Sequence, residues 1–479
     1  MTNPYQTPLN WARYPLTGFD NSFERSTFLT GWLIQGTVNK QLLQSALQRV
    51  MEKWRVLAGR LESIEGTKNW QLAVPLDATL PSGYRTFVLT ETTSDVALST
   101  YLTLPLEQSH ESLPQSLFLH PSTPRQNLAW VNSDSPLTCW HITHFPARGA
   151  ATPTYSCIGF ARSHGVFDGI GASMVMNALV AEMRGQEWDL PAMPSEGRNP
   201  NPIIEVLNRT RSMPQVKGEV EVPYSPLGLK GSLWMVGWHL RERYWRGATH
   251  RLFVVPKDCM ATLVDPVKAE LRASNEASTV TTGDILVAWA LKSIYEIGTD
   301  PKTIVHCSNF ANFRELIETA AGEPGLLSHY PHNAFLPLPY PTTTVEAINA
   351  TSLVELAREL SEYRHGLGLA HVAAAHHILA SNALTMPVHP KAQDTLVVSN
   401  VSASRIMETD WTPIGSEGTI CSYRFSATPN NLVIGNSVYI SGRLPDGSTV
   451  LDVNLNAVRM ENLTRAIGAL KSKIWVGSV

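Results

Sequence analysis

The sequence predicts an α/β (α+β) fold in two units, each a sheet flanked by helices. Apolar runs of strand length alternate with helix-periodic runs along the whole chain. At 479 residues the chain also exceeds what one hydrophobic core usually serves. From Leu190 to Pro226 the pattern breaks, and Pro191, Pro194, Gly197, Pro200, Pro202, Pro214 and Pro223 fall among polar residues. The expected division is residues 1–190, a linker over 191–230 and a second unit over 231–479.

Apolar content of 43% and charged content of 16% fit a globular protein, and a net charge of -3 excludes a polyanion partner such as nucleic acid. Cys139, Cys157, Cys259, Cys307 and Cys421 are odd in number and widely spaced, with no C-x-x-C pair. That argues for a reducing compartment and against a disulfide framework or a zinc site. Met1 to Gln6 lacks the basic and apolar regions of a signal peptide, and no run approaches the roughly 20 apolar residues of a membrane span. A cytoplasmic protein is expected.

Taking the chain in order, Phe28 to Ile34 reads as a first strand. Asn39 then caps a helix with Leu42, Leu43, Ala46, Leu47, Val50, Met51 and Trp54 on its apolar face. Tyr84 to Leu89 is a short strand candidate. Leu137 to Phe145 alternates as a strand, and with the apolar run from Tyr155 it forms a hairpin across the turn-rich Pro146 to Pro153. His141 and His144 are three apart on a strand, so they face opposite sides and cannot share one ion.

The second hairpin strand runs into Arg162-Ser163-His164-Gly165-Val166-Phe167-Asp168-Gly169-Ile170-Gly171, and the helix-like run Ala172 to Met183 leads out. A buried strand therefore ends at His164, with Gly165 and Gly169 setting a turn between His164 and Asp168. An imidazole at a strand end stands at a cleft, and its neutral form takes a proton near pH 7. Asp168 is read as bracing the loop through a cation or backbone amides. Ser163 alternates to the other face of the strand, which argues against a Ser-His nucleophile pair. Taken in isolation, H-x-x-x-D-G leaves a merely solvated turn histidine open.

H-x-x-x-D-G after an apolar strand resembles the active-site motif of the coenzyme A-dependent acyltransferase superfamily, which includes chloramphenicol acetyltransferase, peptide-synthetase condensation domains and BAHD acyltransferases. Ser163 stands where condensation domains carry a first histidine, as in the BAHD branch. Trp54-Arg55-Val56-Leu57-Ala58-Gly59-Arg60-Leu61 resembles the structural P-L-A-G-R-L stretch of BAHD enzymes. The resemblance implies two chloramphenicol acetyltransferase-like subdomains, each a mixed sheet flanked by helices, with the active-site channel between them. It implies His164 and Asp168 as catalytic-motif residues and Gly169 in the active-site loop. Acyl-CoA would be a co-substrate, with no tightly bound cofactor and no metal, and the acceptor a small specialised metabolite bearing a hydroxyl or amine. The expected state is a monomer.

Leu233 to Arg246 is aromatic and basic. Such a stretch suits a membrane surface or packing against the domain, and packing is expected, with Trp and Tyr filling gaps and Arg stems covering them. Thr249 to Pro256 is a strand and Asp258 to Ala273 a helix. Ser278 to Asp284 caps the buried helix Ile285 to Leu291, a pattern resembling the S-T-F-E-A-L-x-A-x-x-W region of BAHD enzymes. A strand from Thr303 to Asn309 leads to Arg314, a candidate cation for Asp168. Tyr330-Pro331-His332-Asn333-Ala334-Phe335 stands where the family has its Y-F-G-N turn. Helices follow over Val354 to Arg364 and Leu369 to Ser381. In the latter, the spacings of His371, His376 and His377 do not suit zinc, so they read as surface residues.

The strand Asp394 to Val401 resembles the one preceding the family's D-F-G-W-G motif, which implies Ser399 and Asn400 on the acceptor side of the channel. At that motif's place stands Asp410-Trp411-Thr412-Pro413-Ile414-Gly415, a degenerate version whose Asp410 and Trp411 would support the channel. Three more strands, with a Pro445-Asp446-Gly447 turn, and a helix from Glu461 to Ile474 are expected to finish the second sheet. Arg251, Lys257 and Lys302 are cations available for coenzyme phosphates.

Acyl transfer needs a base for the attacking hydroxyl or amine and donors for the oxyanion. The resemblance gives His164 the first role and the return of the proton to the leaving thiolate. Ser399 could hold acceptor or oxyanion. Three readings follow: an acyl-CoA-dependent acyltransferase, a coenzyme-free cyclase, isomerase or dehydratase using His164 for proton transfer, and a non-catalytic binding protein, against which the intact His164, Asp168 and Gly169 argue.

Overall fold

A computed structural model describes residues 10–21, 26–67, 69–77, 79–107, 109–147, 153–211, 220–273, 279–381, 385–427 and 435–472. Two sheets organise them. The first runs, in spatial order, Ser416–Ala427, Thr27–Gly36, Tyr155–Ser163, Thr138–Phe145 and Val88–Thr93. The second runs Phe335–Pro337, Ile304–Asn312, Asp394–Asn400, Ser437–Arg443, Thr449–Leu455, Thr249–Val255 and Ser109–His110. Parallel and antiparallel pairs occur in both, so each is mixed.

The expected hairpin forms, with Cys139 opposite Ala161 in an antiparallel pair. Residues 148–152 of its turn, the expected cap residue Ser278 and Ile474 lie outside the described residues. The edge strand is Val88–Thr93, later than the expected Tyr84 to Leu89. Tyr84 is held elsewhere: its hydroxyl donates to the Ala58 carbonyl at 2.7 Å, and the Arg60 guanidinium covers its ring.

Each sheet borrows a strand from the other half of the chain. Ser109–His110 pairs with Thr249–Val255 in the second sheet. Ser416–Ala427, expected to finish the second sheet, instead pairs with Thr27–Gly36 in the first. Tyr423 and Phe425 on this strand pack against Phe118, so its apolar face is buried in the first core.

The helix Lys40–Lys53 buries Leu43, Ala46, Leu47, Val50 and Met51 under the cap Asn39. Leu42 lies off that stripe and is 50% exposed, contrary to expectation. Thr281 and Asp284 make a reciprocal capping box for the buried helix Thr282–Ile294. The last helix is Ala457–Lys471, capped by Asn456 and starting four residues before the expected Glu461. A third apolar cluster joins Phe19, Ile203, Phe313 and Val372 where both halves meet.

Leu229–Leu240 departs most from expectation: it is a helix with no buried residue. No helix among the described residues is long and apolar enough to cross a membrane.

Candidate active site

His164 is the first residue beyond the strand Tyr155–Ser163 and is only 7% exposed. Its Nδ1 lies 3.1 Å from the Phe167 carbonyl. A carbonyl can only accept, so in the neutral ring Nδ1 carries the proton and Nε2 the lone pair. The ring meets Phe28 edge-on at 4.0 Å and stacks with Phe335 at 5.9 Å. Burial, and after it the positive charge of Arg424, push its pKa down to about 3.

Two guanidiniums share this face of the first sheet. Phe28 pairs with Arg162, and Thr30 pairs with both Phe160 and Arg424, so strand alternation turns Phe28, Arg162, Arg424 and His164 to one side. Arg162 donates to the Thr30 hydroxyl at 3.1 Å and covers the Phe160 ring. Its pKa falls to about 9 through burial and then repulsion from Arg424. Arg424 lies between the rings of Phe28 and Tyr439, the latter from the second sheet. The face beside His164 is therefore cationic and aromatic, which favours the neutral imidazole.

The loop from His164 to Asp168 is held by a segment from the other half of the chain. Asp168 caps the helix Gly169–Arg184, accepting from the Gly171 amide at 2.7 Å. Arg314 donates to Asp168 Oδ2 at 2.9 Å and Oδ1 at 3.1 Å, and the Ala334 amide adds a contact at 3.1 Å. Arg314 also donates to the carbonyls of Tyr330 and His332. His332 Nδ1 meets the Val166 carbonyl at 3.0 Å. The Asn333 amide nitrogen donates to the His164 carbonyl at 2.8 Å and to Asp20 Oδ1 at 3.0 Å. Asp20 is braced in turn by the Thr17 amide and hydroxyl, and burial raises its pKa to about 6.

Close approach requires glycine at Gly171 and leaves Gly169 with little room. A Cβ on Gly171 would stand 1.8 Å from the Pro331 carbonyl oxygen, and one on Gly169 would stand 3.3 Å from Val401. The Tyr330 to Phe335 segment and the residues after Asp394–Asn400 thus close on the start of the helix that Asp168 caps.

The other expected site residues are placed as follows. Ser399 is buried in its strand opposite Tyr439, and Asn400 accepts from the Ser402 amide and hydroxyl. Asp410 pairs with Arg184 at 2.6 Å, and Trp411 is buried edge-on against Trp32. Arg184 ends the helix that begins at Gly169, so this contact lies about 24 Å along the helix from the His164 end. Arg251, Lys257 and Lys302 do not converge. Lys257 follows the end of Thr249–Val255 while Lys302 precedes Ile304–Asn312, and these strands run the same way with three strands between them. Arg251 alternates to the same side as Phe253 and Val255, which join the second core under the helices. His141 bonds to Thr90 and Thr92, whereas His144 bonds to Glu91 and Ser156. All five cysteines are buried free thiols.

Sequence reasoning missed Asp20, His332 and Asn333 as supports of the loop. His332-Asn333 stood in a segment already singled out, but nothing local tied it or Asp20 to His164.

No family model matches the chain. It is 22% identical to the O-acyltransferase pboC of Aspergillus ustus, over 79% of this chain and 80% of that protein. Among solved structures, TRI101 of F. sporotrichioides, complexed with coenzyme A and T-2, superimposes with a TM-score of 0.64 at 16% identity, covering 94% of this chain and 97% of that one. TRI101 of F. graminearum, complexed with coenzyme A and deoxynivalenol, gives 0.63 at 15% identity, over 95% and 97%.

Proposed function

We propose that this chain, whose fold is that of the coenzyme A-dependent acyltransferase superfamily, is an O-acyltransferase that moves an acyl group from acyl-CoA to a hydroxyl of a small specialised metabolite. The observation that carries the reading is the Nδ1 contact of His164 to the Phe167 carbonyl. It leaves Nε2 as the basic nitrogen of a ring kept neutral by burial and by Arg424. Nε2 takes the proton of the acceptor hydroxyl as its oxygen attacks the thioester carbonyl carbon. The tetrahedral adduct then collapses with cleavage of the carbon–sulfur bond, and the proton on Nε2 passes to the thiolate. Products are an ester and free coenzyme A, with no acyl-enzyme.

Asp168 holds the loop and does not exchange protons in this scheme, since both its oxygens are engaged by Arg314 and backbone amides. Asn333 is a positioning residue that fixes the His164 carbonyl. Ser399 and Asn400 are assigned to the acceptor side, and the Asp410 to Gly415 turn to support of the channel. The chain divides in function at residues 191–230.

The test incubates the protein with acetyl-CoA and longer acyl-CoAs and a panel of small apolar alcohols and phenols, with mass spectrometry for acylated products, a thiol assay for released coenzyme A, and calorimetry for acyl-CoA binding. Stoichiometric ester and thiol are expected. If no acyl-CoA binds at millimolar concentration while His164 stays essential to a coenzyme-free conversion, the proposal is overturned.

A further inference from the structure

We propose that the outward face of the helix Leu229–Leu240 and the wide turn Arg241–Trp245 that continues it seats this protein on an anionic membrane surface, lying flat at the headgroup boundary. The segment is inside out for a water-facing helix. Leu229 is 79% exposed, Leu233 64%, Trp234 56%, Tyr244 70% and Trp245 81%. Its single carboxylate, Glu242, is 2% exposed and turned inward. There it accepts from Asn456 Nδ2 at 2.9 Å and pairs with Arg241 and Arg246 at 3.1 Å. On the same inner side Trp238 reaches Gly435. The helix is therefore anchored to the second sheet's end in this orientation, and its exposed apolar face is fixed.

The outward residues fall on two adjoining stripes. Leu229, Leu233, Val236 and Leu240 recur at helical spacing, and beside them Trp234 and Trp245 lie with the exposed cations Lys230 and Arg243. Bulky apolar groups flanked by Trp, Lys and Arg match the chemistry of the bilayer interface, where indole rings sit at headgroup depth and cations meet lipid phosphates. Twelve helical residues extend about 18 Å, short of the roughly 30 Å hydrocarbon core, so the helix lies on the membrane and does not cross it. A second copy is disfavoured as occupant, since pairing the two faces would oppose Lys230, Arg241, Arg243 and Arg246 with their own duplicates. An exposed apolar patch flanked by Lys230 and Arg243 fits a surface both apolar and anionic.

The test uses the full chain in flotation with phosphatidylcholine vesicles and with the same vesicles carrying one-third phosphatidylserine. Binding is expected to the second, weakened by high salt, with tryptophan emission shifted to the blue and quenched by brominated lipid. Trp234→Ser with Trp245→Ser, and separately Lys230→Gln with Arg243→Gln, should each lower the bound fraction at least about tenfold while melting temperature stays unchanged. Lack of flotation with phosphatidylserine, unquenched emission, or full binding by both folded double variants overturns the proposal. So does a concentration-dependent dimer in sedimentation velocity that these variants dissolve. Should a variant melt early, quenching of the unaltered protein by brominated lipid decides the matter.

Discussion

Arg314 grips Asp168 with both terminal nitrogens, Nη1 at 2.9 Å from Oδ2 and Nη2 at 3.1 Å from Oδ1, across 146 residues of chain. Both side chains are almost wholly buried. The pair ties the capped helix of one sheet layer to the Tyr330 to Phe335 segment of the other, and His164 sits on the loop between.

Asp168→Asn leaves a buried guanidinium without its counter-charge, so stability should fall by about 3–5 kcal/mol, and activity with it. Arg314→Ala should cost a similar amount, and the double variant less than the sum of the two, because each single change already breaks the pair. Urea titrations of the three variants measure this. An unchanged melting temperature with a displaced pH optimum in Asp168→Asn would instead place the carboxylate in proton transfer.

His164→Ala should lower kcat by about a hundred- to ten-thousand-fold, the usual contribution of a general base, while the protein still melts cooperatively. Thiol release from acyl-CoA together with a circular dichroism melt tests both halves. A folded variant at near wild-type rate would remove His164 from the chemistry.

Gly171→Ala should destabilise the protein and reduce turnover, since the added carbon would lie 1.8 Å from the Pro331 oxygen and backbone must move to admit it. Gly468→Ala, within Ala457–Lys471 and with nothing within 4 Å of the new carbon, should stabilise by up to about 1 kcal/mol. Melting temperatures moving in opposite directions are the expected result.

Stability should decline as pH falls from 6.5 toward 4. Burial lowers His164 and His306 to about 3, and His141 and His332 to about 4, from an ordinary 6.5. Below 6.5 the unfolded chain binds protons at these sites that the folded chain refuses, so protonation favours unfolding until the folded pKa is reached. Asp20, raised from 3.8 to about 6, opposes this between those two values, and His250 and Glu359, both raised, oppose it too. His110, His239, His371 and His376 are lowered by burial as well and add to the decline. Melts from pH 7 to 4 check the sign, and a flat or rising profile would contradict it. For the same reason the acid limb of kcat/KM should not follow an ordinary histidine titration near 6.5.

The sequence by itself determined the alternation of strands and helices, the hairpin that carries His164, the turn to Asp168, the cap at Asn39 and a capped helix start within Ser278 to Asp284, because each depends on residues within a few positions of one another. Only the tertiary structure decided the partners. Asn333, 169 positions away in the chain, donates to the His164 carbonyl, and its amide is held in turn by Asp20, which lies 144 positions from His164. Ser416–Ala427 crosses to the first sheet although its alternation suits either, since an apolar strand face specifies burial and not which core buries it. Leu229–Leu240 carries a composition that signals packing, and its exposure follows from the inward turn of Glu242, which was set by Asn456 and two arginines. Periodicity fixes local conformation, whereas contacts between distant segments depend on shape and charge that a chain acquires only when folded.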